Sequence, residues 1–76
     1  MTSIKPIHFR KLVLLFEKSG WVYQRTKGDH MIYTKKGYMR PVVIPKYKTI
    51  PVFIIKNNLR TAKISNQDYF NLLREE

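Results

Sequence analysis

Apolar residues recur at helical spacing near the start of the chain. Phe9, Leu12, Val13 and Phe16 fall at i, i+3, i+4 and i+7, while Arg10, Lys11, Glu17 and Lys18 take the other faces. This predicts a helix. Pro6 suits its first turn, where an N–H has no partner in any case, and Gly20 suits the left-handed position that ends it. The pattern then changes to strand. Trp21 to Thr26 and His30 to Lys35 are rich in aromatic and β-branched residues, and Gly28-Asp29 marks a turn between them. Lys36-Gly37 makes a second turn into Tyr38 to Ile44. Pro41 lacks a ladder donor and so predicts a strand that lies at an edge or is bulged near its start, and that Pro45 ends. Helical signals return at Pro51, with Phe53, Ile54, Ile55 and Leu59 following. Ser65 to Asp68 fits a capping box opening a last helix that buries Tyr69, Leu72 and Leu73. The order α-β-β-β-α-α predicts an α+β fold: a three-stranded antiparallel sheet with helices on one face.

Length and charge narrow the function. A chain of 76 residues reads as one domain over 1–76, with one small core and no room for an enclosed cofactor pocket. Fifteen Lys and Arg against five Asp and Glu give a net charge of +10, which the chain's own acids cannot neutralise. Between Lys18 and Lys63, Asp29 is the only acid. Such a balance points to a polyanionic partner, and RNA fits it best. With no cysteine there is no disulfide framework or thiolate metal site, in keeping with a reducing cytoplasm. The two histidines, His8 and His30, belong to no ligand cluster, so neither a metal nor another cofactor is expected. No apolar run approaches the roughly 18 residues of a membrane span, and the start of the chain has no signal-peptide core.

The candidate chemistry sits at Lys27-Gly28-Asp29-His30. Imidazole titrates near neutral pH and suits proton transfer. Metal-independent RNA cleavage needs a base for the 2′-OH, an acid for the leaving 5′-oxygen and cations for the charge gathering at phosphorus. His30 is the candidate base or acid. Arg25 and Lys27 lie on the same hairpin, and Lys46 and Lys48 follow the third strand; Asp29 can orient His30. Lys35, Lys36 and Arg40 read as general phosphate contacts. Tyr47 is an auxiliary proton donor or stacking group. The competing reading of His30 is structural. It shares strand parity with Ile32 and Thr34, so a buried Ile32 would make it a hairpin-edge residue. His8 reads as a surface residue in the first helical turn. Trp21 and Phe53 read as core, whereas Tyr23, Tyr33 and Tyr38 are divided between the core and an exposed base-stacking face.

Gly20-Trp21, Arg25 to His30, Tyr33 and Ile44-Pro45, in this order of elements, resemble the HicA (YcfA-like) toxins of toxin–antitoxin pairs. Pro41 to Tyr47, followed by Ile50 to Ile55, looks like one branch of that family. The resemblance implies a double-stranded-RNA-binding-like α-β-β-β-α fold and a ribosome-independent mRNA endonuclease, inhibited by a HicB-like antitoxin. It also implies that His30 holds the position of the family's proposed catalytic histidine. Two departures stand out. The serine of the family's glycine-serine-histidine motif is Asp29 here, and its frequent second histidine is Tyr47. The alternatives are a non-catalytic RNA-binding module that reads A-form shape through a basic surface and, more weakly, a DNA-binding regulator.

Overall fold

The computed structural model of the chain describes residues 3–74. Helix α1 spans Phe9–Lys18 and buries Leu12, Leu15 and Phe16, with Phe9 and Val13 packed beside them. It begins later than Pro6 suggests. His8 is the N-cap, and its Nδ1 accepts a hydrogen bond from the Arg10 N–H at 3.1 Å. That satisfies one of the helix's open donors, a task more often given to Ser, Thr, Asp or Asn. Pro6 stays outside the helix because Ile7 bridges to Ile50, whose N–H donates to the Ile7 carbonyl at 2.7 Å. His8 is therefore a half-buried cap, not the free surface residue of the first helical turn that the pattern suggests. Gly20 follows the helix at φ +91°, as a C′ glycine should.

Strands β1 (Val22–Lys27), β2 (His30–Thr34) and β3 (Val42–Pro45) form an antiparallel sheet in that order, so β3 lies at an edge as Pro41 predicts. The third strand is shorter than expected. The Lys36-Gly37 turn forms as predicted, with the Tyr38 N–H donating to the Lys35 carbonyl at 3.0 Å, but pairing begins only after Pro41, so residues 38–41 stay outside the ladder. Tyr38 is drawn out of the ladder onto Trp21, with ring centroids 5.0 Å apart.

Register fixes the two faces of the sheet. Tyr33 pairs with Val42 and Met31 with Ile44; Tyr33, Val42 and Ile44 are fully buried. The other face carries His30, Ile32 and Thr34 on β2, with Lys27 opposite His30 and Arg25 opposite Ile32 on β1. A bulge at Gln24 shifts the phase of β1, so Tyr23 and Thr26 share an edge and bond hydroxyl to hydroxyl at 2.7 Å.

Helices α2 (Val52–Ala62) and α1 pack on the buried face against β3, and α3 (Asn66–Arg74) packs on α1. The α-β-β-β-α order with a further C-terminal helix is thus the predicted α+β fold. Ile55, Asn58, Leu59 and Ala62 form the buried side of α2. Phe53 falls off that phase and is 67% exposed, which corrects its assignment to the core. At the start of α3 the Ser65 Oγ accepts from the Asp68 N–H at 3.1 Å, the predicted cap, and Tyr69 is fully buried.

Helix α2 ends at Lys63 in the left-handed conformation, φ 57° and ψ 40°, which favours glycine. Replacing Lys63 by Gly relieves the contact between Cβ and backbone and is expected to stabilise the fold by roughly 1 kcal/mol. Urea denaturation measures this; a loss of stability would show that the aliphatic stem of Lys63 matters more than the strain.

Candidate active site on the open sheet face

The β1–β2 hairpin turns in two residues. Gly28 takes the first turn position at φ +61°, and Asp29 keeps a negative φ, the arrangement of a type II′ turn. A side chain at Gly28 would meet no atom within 4 Å, so glycine is needed there for its backbone freedom and not for space. The tight turn places His30 directly across from Lys27 on one side and Pro45 on the other. His30 thus sits at the end of the central strand, with its side chain 48% exposed. Ile32, which shares its face, lies opposite the buried Tyr33–Val42 layer. The structural reading of His30 required Ile32 in the core, and the register excludes that placement.

The His30 Nδ1 lies 3.0 Å from the Asp29 Oδ1. A carboxylate only accepts, so Nδ1 must carry the proton in this bond. In the neutral ring Nε2 then holds the lone pair, and it has no partner among the described residues. The bond is exposed, so it serves orientation far more than stability.

The chain after β3 returns to the same end of the sheet. The Lys46 N–H donates to the Asp29 carbonyl at 2.8 Å, and the Tyr47 N–H donates to the Pro45 carbonyl at 2.8 Å, closing a three-residue turn around Lys46. The Tyr47 carbonyl in turn accepts from the Phe9 N–H at 3.1 Å. Lys46, Tyr47 and Lys48 are all exposed. The fold therefore gathers Arg25, Lys27, Asp29, His30 and the segment Lys46 to Lys48 at one end of the open face.

Lys35, Lys36 and Arg40 lie at the other end, beyond Thr34. Lys35 is engaged structurally: its Nζ donates to the Ser19 carbonyl at 2.7 Å and sits 5.5 Å from the Tyr38 ring centroid. Tyr33 is core, and burial, with smaller contributions from Glu17 and Tyr23, pushes its phenol above the usual tyrosine range. Tyr23 remains exposed beside it, with ring centroids 5.7 Å apart. Trp21 is buried, as its pattern suggests. Arg60 and Lys63 did not stand out in the sequence; the tertiary fold brings them beside Arg40. No local spacing announces that meeting.

The family model for the HicA toxin of bacterial toxin–antitoxin systems matches residues 9–64, from α1 through the end of α2. The chain belongs to the HicA toxin family. No curated protein matches it. As a HicA toxin it is the toxic half of a toxin–antitoxin pair, and it has an antitoxin as its partner. The matched region contains the hairpin, the loop after β3 and every candidate site residue named above. Among the described residues, no helix is long and apolar enough to cross a membrane.

Proposed function

We propose that this HicA toxin is an endoribonuclease that cuts mRNA in the cytoplasm without a metal, using His30 for proton transfer. The observation that carries this reading is the oriented imidazole. His30 stands on the uncovered sheet face, its Nδ1 is engaged by Asp29, and its Nε2 is open beside Lys27 and the Lys46 turn. Nε2 takes the proton from a ribose 2′-OH, and the 2′-oxygen attacks the adjacent phosphorus. The bond from phosphorus to the 5′-oxygen breaks, leaving a 2′,3′-cyclic phosphate and a 5′-hydroxyl. The leaving oxygen takes its proton from water, from the imidazolium or from the Tyr47 phenol. Lys27, Arg25 and Lys46 face the negative charge that builds on the phosphoryl oxygens. Asp29, standing where the family has serine, is a positioning residue that holds the ring.

The same surface offers the antitoxin its target. A HicB-like partner that silences the toxin has to cover the hairpin, and acidic side chains suit the cations around it. Inducing the toxin in cells is expected to arrest growth and deplete mRNA, with rescue by the antitoxin. Reversing charge at Arg25 and Lys27 is expected to lower antitoxin affinity by at least about tenfold. Growth arrest with stable mRNA would overturn the nuclease reading, and unchanged affinity would place the antitoxin elsewhere.

A further inference from the structure

A second group of cations lies outside the hairpin site. Residues 35–41 leave β2 at the end opposite His30, and the last turn of α2 comes back to meet them. Between them is a groove of about 450 Å³ lined by Tyr38, Met39, Arg40, Arg60 and Lys63. Its size suits one small ligand unit, such as a nucleotide. None of the three cations forms an ion pair among the described residues; Asp29 and His30 make the only pair there. Asp68 lines the adjoining cavity without neutralising them. Arg60 is held by the Asn57 Oδ1 at 3.2 Å, and the Lys63 Nζ lies 5.9 Å from the Tyr38 ring centroid. Met39 is entirely exposed at the rim, with nothing packed on its thioether.

Two features make this more than a solvated charged surface. Lys63 sits at a left-handed position that strains any residue but glycine, so the end of α2 carries a cation on a strained backbone beside the groove. The cations also converge on a concavity with an aromatic ring and a free thioether, which offers phosphate and base contacts together. A phosphodiester strand matches that combination better than an acidic protein surface, which presents carboxylates without bases.

We propose that this groove is a second RNA subsite that grips a phosphate of the strand flanking the cleavage position. The inference rests on the nuclease reading above. Strand β2 alone separates the two ends of the sheet by about 13 Å. One nucleotide cannot fill both places, so the groove rewards longer RNA.

The test uses the His30→Ala protein, chosen to slow cleavage during the measurement, and labelled RNAs of about four and about twelve nucleotides. Affinity is read by fluorescence anisotropy across a salt series. Without the groove substitutions, the longer RNA is expected to bind much more tightly. Adding Arg40→Ala and Arg60→Ala is expected to remove most of that gain, about tenfold, and to flatten the salt dependence by about 0.7, the contribution of the one single-strand phosphate the groove holds. Lys63→Gly is expected to weaken long-RNA binding while stabilising the fold, which separates lost charge from lost structure. If neither RNA binds before the groove is altered, the nuclease reading falls, and this inference falls with it. If RNA binds and the groove variants bind it equally well, only the groove assignment is overturned. Variants that keep RNA affinity but lose antitoxin affinity would also overturn it and give the groove to the protein partner.

Discussion

His30→Ala is expected to lower the rate of RNA cleavage by about 10²–10⁴-fold, the usual loss when a positioned proton-transfer group is removed. The fold should survive. His30 is about half exposed, and its one side-chain partner among the described residues is the more exposed Asp29. Backbone pairing of β2 with β1 and β3 does not depend on the imidazole. Far-UV circular dichroism therefore serves as the control, and timed cleavage of end-labelled RNA supplies the readout. A folded His30→Ala protein that cuts as fast as the parent would remove His30 from the chemistry. A protein that binds RNA normally and cuts slowly would instead place the loss in the reaction step.

Trp21→Ala is expected to have the largest effect on stability, about 3–5 kcal/mol. The indole is 3% exposed and joins parts of the chain that sequence keeps apart. Its ring meets Phe16 of α1 edge-on at 6.1 Å and Tyr38 of the 35–41 connection at 5.0 Å. The Trp21 backbone N–H donates to the Phe16 carbonyl at 3.0 Å, a bond the variant keeps, so the expected loss is one of side-chain packing. A domain of this size has about 4–11 kcal/mol of total stability, so the variant should be marginal at room temperature. Urea denaturation reads the change as a lower midpoint at similar slope. A loss below about 1 kcal/mol would be typical of a surface position and would contradict the packing described.

Periodicity carried most of the architecture because the elements obey local rules. The α1 stripe, the Gly28-Asp29 turn and the Ser65 cap each rest on residues a few positions apart, and all three appear in the fold. What failed depended on tertiary partners. Pro6 looked like a helix opener, yet the pairing of Ile7 with Ile50 holds that segment extended and leaves the cap to His8. Phe53 looked like core because it is large and apolar, but its angle on α2 points away from the sheet side. The turn expected at Lys36-Gly37 forms, but the third strand starts at Val42 and not at Tyr38, because Tyr38 packs on Trp21 outside the ladder. The candidate site divides in the same way. His30, Asp29, Lys27 and Arg25 were legible as one hairpin. Which face His30 occupies was not, since strand parity gives two faces and only the burial of Tyr33 and Val42 chooses between them. The placement of Arg40 beside Arg60 and Lys63 is a long-range contact with no local signature.

The most direct test of the account is incubation of the purified toxin, free of antitoxin, with end-labelled RNA in EDTA, followed by analysis of the product ends. The account predicts cuts that leave 2′,3′-cyclic or 3′-phosphate ends, made by the parent and not by His30→Ala. Intact RNA, retarded equally by both proteins, would contradict it and make the chain a toxin that binds RNA without cutting it.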